Sequence, residues 1–437
     1  MQFLPSKITL SLCLLLQASF LLAQTYTSFF TGDTTDIQSS HQSGIVLAGG
    51  GPDNDQAMQW MLQRADGGDV VVIRISGSDG YNNYFFSELG VAVNSVETIK
   101  FNSSSAAEDP YVNRRIREAE VLFIAGGDQS DYRDFWRDSP VAASLNYLLQ
   151  TKGATVGGTS AGMAILSGVY YAPNNQSLIS QEALSNPYHP NASGISNLPF
   201  LQAPYLSNVI TDTHFQQRDR EGRSVVFLAR ARELVGATAL AISCNEATAV
   251  AIDESGLARV FGSFPAFNDY AFFLMAGCTN ESGGPELMTD GLPFVWNQDG
   301  QALSVYRVPG RTSGANTFDL TNWTAGSGGS WQHWSVSNGQ LTINGIGNAP
   351  TNCAPLSTNH LDDLQLQIYP LPAHDRLFIN LNEASILPKI RLFDLHGRLV
   401  VEEICTSAGL AINQLPNGLY FLKIEGYNGL RKIVISQ

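Results

Sequence analysis

Short apolar runs and helical stretches alternate along the first half of the chain. Gly44-Ile45-Val46-Leu47-Ala48 and Asp69-Val70-Val71-Val72-Ile73-Arg74-Ile75 read as strands, and the segment between them, around Asp55 to Ala65, carries Met58, Met61 and Leu62 at helical spacing. That order is a βαβ unit. Strands that are apolar throughout, rather than alternating, are expected inside a parallel sheet covered on both faces. Val121-Leu122-Phe123-Ile124-Ala125 is such a run, and Ser95 to Phe101, Ala154 to Gly157 and Ser207 to Thr213 supply further strands. The pattern predicts an α/β fold with a doubly wound, mostly parallel, flavodoxin-like sheet. Ala247 to Ile252, Leu257 to Phe261 and Leu303 to Val308 read as short β segments that extend this core.

Two later shifts in pattern mark further parts. Residues 310–355 are rich in Gly, Ser and Trp and predict a β-rich extension, in which Trp323, Trp331 and Trp334 are expected to pack a small β layer rather than to form a carbohydrate platform. From residue 364 to 437, polar and apolar positions alternate between turns, the pattern of a small β-sandwich. The N-terminus has Lys7 followed by an apolar run from Ile8 to Leu22 and then Ala23, which reads as a signal peptide over residues 1–23. The predicted catalytic part is therefore 25–309.

Composition narrows the chemistry. The net charge is −14, while residues 364–437 hold six acidic and seven basic side chains, so the acidity belongs to the part before them. That excess argues against nucleic acid as a partner and suits a basic substrate. The four cysteines beyond the leader, Cys244, Cys278, Cys353 and Cys405, form no C-x-x-C pair and adjoin no histidine cluster, so no metal site or cofactor is expected. Cys278 with Cys353, or Cys244 with Cys278, are candidate disulfides, and Cys244 alone reads as a buried thiol. Gly49 and Gly51 begin a dinucleotide fingerprint, but Asn54 stands in place of its third glycine and Pro52 interrupts the helix entry.

Candidate catalytic groups lie in three segments. Gly158-Thr159-Ser160-Ala161-Gly162 follows a buried strand and precedes a helix, the setting of a nucleophile elbow in which glycines permit the strained turn that presents Ser160. In Asp212-Thr213-His214, strand alternation puts Asp212 and His214 on one face; His214 has the pKa class to take and return a proton, and Arg218 and Arg223 follow as guanidinium forks for a carboxylate. Gly126-Gly127-Asp128-Gln129 closes the strand Val121–Ala125, at the sheet end where ligands bind in such folds. The N–H groups of Gly127 and Ala161 are candidates for holding an oxyanion, and the Gln129 amide for lining the cleft.

These motifs, in this order, resemble the cyanophycinase group of serine peptidases, relatives of aspartyl dipeptidase with a class I glutamine amidotransferase-like fold. The likeness runs from about Gly44 to about Pro309. It implies a metal-free serine peptidase acting on an aspartyl backbone, with cyanophycin, a polyaspartate bearing arginine on its side-chain carboxyls, cut to β-Asp-Arg dipeptides. The family carries an acid between serine and histidine; Glu182 is the one acidic residue between Ser160 and Asp212 and is assigned to orient His214, with Asp212 as rival. Gln129, Asp212, Arg218 and Arg223 are assigned to substrate contact by the resemblance and by their charge. Residues 364–437 resemble the C-terminal sorting domain of the type IX secretion system in Bacteroidetes, which implies export to the cell surface or the medium through that machinery. Rival readings are an aspartyl dipeptidase or other isoaspartyl peptidase, and a non-catalytic surface protein binding polymer or glycan. Oligomeric state, a homodimer included, is left open.

Overall fold

The computed structural model describes residues 24–277 and 283–350 and, of the C-terminal part, 366–369, 373, 375–381, 389–394, 398–404, 409–424 and 431–435. The expected signal peptide and Cys278, Cys353 and Cys405 lie outside the described residues; Cys244 is buried with a free thiol. No helix among the described residues is long and apolar enough to cross a membrane.

The first half reads β1 (Tyr26–Gly32), β2 (Gly44–Ala48), α1 (Asp55–Gln63), β3 (Asp69–Arg74), α2 (Gly80–Asn83), β4 (Ser95–Phe101), α3 (Pro110–Glu118), β5 (Val121–Ile124), α4 (Gln129–Trp136), α5 (Pro140–Tyr147), β6 (Thr155–Thr159) and α6 (Ala161–Ala164). It continues with β7 (Tyr170–Tyr171), α7 (Ser180–Ser185), β8 (Ile195–Ser196), β9 (Val209–Asp212), α8 (Glu221–Val235), β10 (Leu240–Cys244), β11 (Ala249–Asp253), β12 (Leu257–Phe261), β13 (Tyr270–Ala276), β14 (Leu303–Pro309), β15 (Asn316–Asp319), β16 (Gly326–Ser327), β17 (Ser330–Ser337) and β18 (Gln340–Asn344).

Two sheets organise these elements. The larger has the order β1-β4-β3-β5-β6-β2-β11-β12-β15-β16, and its five consecutive strands from β4 to β2 are parallel. Their apolar runs are buried on both faces for the expected reason. Val71 and Ile73 of β3 join one core with Leu122, Ile124 and Val156, whereas Val70 and Val72 join another with Phe123 and with Met58, Met61 and Leu62 of α1. Antiparallel strands close the two ends. The second sheet has the order β18-β17-β14-β13-β10-β9, with α8 packed on one face through Val225, Phe227 and Leu228. Phe273 and Met275 of β13 project the other way, into the core that holds Val71 and Leu122, so one apolar layer serves both sheets.

One expectation changes. The strand at Val209–Asp212 belongs to the second sheet, parallel to β10, instead of the doubly wound one. The Gly/Ser/Trp-rich segment is an extension of the core, with β15 and β16 lengthening the first sheet and β17 and β18 the second. Its tryptophans pack as expected, with Trp323 and Trp334 buried and Trp331 tilted against Tyr306 and edge-on to Phe318. In the C-terminal part, Lys389–Phe393 lies between Leu399–Ile404 and Gly418–Ile424 in an antiparallel sheet, with its own core of Leu377, Ile390, Leu392, Tyr420 and Leu422.

Candidate active site

Ser160 stands at the carboxyl end of β6 with φ 52° and ψ −113°, a left-handed backbone that a non-glycine residue adopts only when its surroundings enforce it. The enforcement is visible. The Ser160 N–H donates to the Ala48 carbonyl at 3.0 Å, and the Ser160 carbonyl accepts from the Ala164 N–H at 3.0 Å. The flanking glycines are required by contact: a Cβ on Gly162 would stand 2.1 Å from the Ile124 carbonyl oxygen, and one on Gly158 2.5 Å from the Gly162 backbone.

His214 comes from the other sheet, two residues beyond the end of β9. Its ring reaches Ser160 because the chain leaves strand geometry there: His214 has φ 47°, and its N–H donates to the Gly49 carbonyl at 2.7 Å. The His214 Nε2 lies 2.7 Å from Ser160 Oγ, and its Nδ1 lies 2.6 Å from Glu246 Oε1. Glu246 sits on the connection from β10 to β11, its N–H donating to the Gln217 side-chain carbonyl at 3.0 Å. Burial pulls the imidazole below its ordinary pKa, the Arg218 and Arg220 charges add to that, and the Glu246 carboxylate opposes it. The turn Gly49-Gly50-Gly51 packs against this relay. A Cβ on Gly50, at φ +96°, would stand 2.4 Å from His214 Cε1, and one on Gly51 would stand 3.0 Å from Glu246 Cβ.

Serine, histidine and carboxylate thus form a continuous hydrogen-bonded line, and the carboxylate is not the one expected. Glu182 belongs to α7, where its Oε2 accepts from the Ile179 N–H at 3.3 Å and the Asn191 amide at 3.1 Å, capping its own helix. It cannot orient His214 from there. Asp212, the rival, shares no face with the histidine once the strand ends between them. It is buried and bonded by Arg223 through both carboxylate oxygens, with Ser224 Oγ donating at 2.6 Å and the Arg220 guanidinium 3.7 Å away as a second cation. Burial alone would raise its pKa, but these partners hold it below the ordinary carboxylate range. Arg223 is equally buried, its remaining donors on Ser177 Oγ and the Leu178 carbonyl, so the Asp212–Arg223 pair braces the turn that carries His214 and is closed to a ligand.

Of the other assigned residues, Ala161 follows Ser160 directly. A Cβ on Gly126 would lie 3.6 Å from Ser160 Cβ, which brings the strand end with Gly127 beside the serine. Asp128 caps α4 by accepting from the Ser130 N–H at 2.8 Å, and Gln129, half-buried, is the first residue of that helix. Ala161 begins α6, where helix geometry leaves its N–H without an intrahelical acceptor. Arg218 is exposed, with its charge felt at His214. Glu246 went unread because the acid was sought before the histidine; its position just past the apolar strand Ala241-Ile242-Ser243-Cys244 was the available signal.

Residues 79–256 match peptidase family S51. The match runs from the start of α2 to the turn after β11. The chain is a serine-type peptidase, and its residues 367–436 match the secretion system C-terminal sorting domain, the type IX export signal. Curated relatives include the cyanophycinase of Synechococcus elongatus, 26% identical over 240 residues, which are 52% of this chain and 68% of the relative. The cyanophycinase of Geminocystis herdmanii (strain PCC 6308) is 24% identical over 233 residues, 51% of this chain and 78% of the relative. Among solved structures, a peptidase from an acI-B1 Actinobacterium superposes with a TM-score of 0.40 and 14% identity, over 64% of this chain and 98% of that one.

Proposed function

We propose that this exported S51 peptidase cleaves the aspartyl backbone of cyanophycin, releasing β-Asp-Arg dipeptides through an acyl-enzyme on Ser160. The observation that carries the reading is the Ser160–His214–Glu246 line, with 2.7 Å and 2.6 Å separations and a histidine kept neutral by burial. In the proposed mechanism His214 Nε2 takes the Ser160 proton as Oγ attacks the scissile carbonyl, and Glu246 stabilises the resulting imidazolium and fixes its tautomer. The Gly127 and Ala161 N–H groups receive the oxyanion. His214 then protonates the leaving amine, and a water activated by the same ring releases the acyl group. Exposed Arg218 and the Gln129 amide contact the substrate, while Asp212 and Arg223 hold the histidine turn.

The substrate class is supported by the cyanophycinases among the relatives and by the acidic catalytic part, which suits an arginine-bearing polymer. Incubation of the purified protein with insoluble cyanophycin, read by mass spectrometry beside Ser160→Ala, tests it. Serine-dependent release of β-Asp-Arg is expected. Hydrolysis of free Asp-X dipeptides with the polymer left intact would replace this substrate with the dipeptide class.

A further inference from the structure

One half-buried acid near the nucleophile, its Oδ1 shut off from solvent, takes no part in these steps. Asp53 lies on the turn from β2 into α1, yet it does not cap the helix: Asn54 does, accepting from the Ala57 N–H at 3.1 Å. The Asp53 Oδ2 accepts a 2.6 Å hydrogen bond from the Tyr81 hydroxyl of α2. Its Oδ1 is buried and finds no hydrogen-bond partner among the described residues. Burial raises its pKa, and the groups that favour its charged form are two hydroxyls, those of Tyr81 and Thr159, with no cation among them.

Thr159 is the last residue of β6 and immediately precedes Ser160. Its hydroxyl is likewise buried without a partner among the described residues. A buried acceptor without a donor is costly, and so is a buried donor without an acceptor; here one of each occupies the same neighbourhood, and a hydroxyl rotates to suit. Tyr81 makes the acid a firm anchor. Its ring packs against Phe85 and Phe123, both at 5.1 Å between centroids, with the Arg74 guanidinium 5.8 Å from its centre. Phe123 is on β5, the strand that ends at Gly126-Gly127.

We propose that Asp53 is a positioning residue for the nucleophile: braced by Tyr81, its carboxylate accepts the Thr159 hydroxyl and holds the residue before Ser160, so that the left-handed serine keeps its aim at His214. Backbone strain of this kind persists only where neighbours over-determine it. The Ser160 N–H and carbonyl are fixed by Ala48 and Ala164, and the Thr159 side chain is the further handle on the turn. Asp53 makes no hydrogen bond to Ser160, His214 or Glu246 among the described residues.

The inference rests on Ser160 being the nucleophile, and its test reads that separately. The full chain is treated with a fluorophosphonate probe, and kinact and KI are measured for wild type, Ser160→Ala, Asp53→Asn, Thr159→Val and Thr159→Ser, with thermal unfolding alongside. Wild type is expected to label at Ser160. Asp53→Asn and Thr159→Val are expected to lose about tenfold or more in kinact, within the roughly hundredfold that a 1 Å misplacement costs, with KI unchanged and Thr159→Ser restored to wild-type rate. Should Asp53→Asn fail to fold, the two Thr159 variants carry the comparison. Labelled wild type with equal kinact in Asp53→Asn and Thr159→Val, or a Thr159→Ser as slow as Thr159→Val, would overturn the positioning role alone. Unlabelled wild type would remove the nucleophile and the inference together.

Discussion

A neutral histidine between a hydroxyl and a carboxylate is a base whose tautomer is already chosen: Glu246 accepts the Nδ1 proton, leaving Nε2 free to receive one from Ser160. Glu246→Gln should therefore lower kcat by about 10⁴-fold with the fold intact, whereas Glu182→Gln should leave kcat near wild type and cost only about 0.5–2 kcal/mol of stability as a weakened helix cap; steady-state kinetics and denaturant unfolding of the pair separate the two acids. The pH profile follows from the same ring. The base works when deprotonated, and its pKa is held below 6.5, so the acid limb of kcat/KM should fall below pH 6.5. Arg218 is one of the charges holding it down, so Arg218→Ala should move that limb to higher pH while weakening substrate binding. Ser160 and His214 were legible because their neighbours announce a turn and a polar strand end. Glu246 was not, since a lone acid past an apolar strand shows its role only when the two sheets bring it to the ring.

Elements decide how firmly these side chains are held. The turn between β2 and α1 read as a failed nucleotide fingerprint; what its glycines do is leave room for the imidazole. Gly50→Ala should therefore reduce kcat by roughly a hundredfold through displacement of His214, seen in activity assays at protein concentrations verified by folding. The Asp212–Arg223 pair seats α8 against the histidine turn. Asp212→Asn leaves the buried Arg223 guanidinium without its carboxylate, and should cost about 3–5 kcal/mol in urea unfolding. Both residues were expected at the substrate because an Asp and an Arg near a catalytic histidine look alike in sequence whether exposed or paired in the core. The parallel strands, by contrast, were readable from their unbroken apolar runs, and β9 was misassigned to that sheet because its apolar run has no mark of which neighbour it pairs with.

Across the whole molecule, the sorting region has its own core of Leu377, Ile390, Leu392, Tyr420 and Leu422. Deletion of residues 364–437 should leave the rate of hydrolysis unchanged and abolish export, as checked by assays on purified protein and on cell fractions. Within the peptidase, the three members of the relay have three origins: Ser160 follows a strand of the larger sheet, His214 follows a strand of the smaller one, and Glu246 lies on the chain crossing from the smaller sheet to the larger. Neither sheet alone contains a working set. Hydrolytic power is thus conditional on both sheets having formed, and a chain in which only one of them has folded carries no relay.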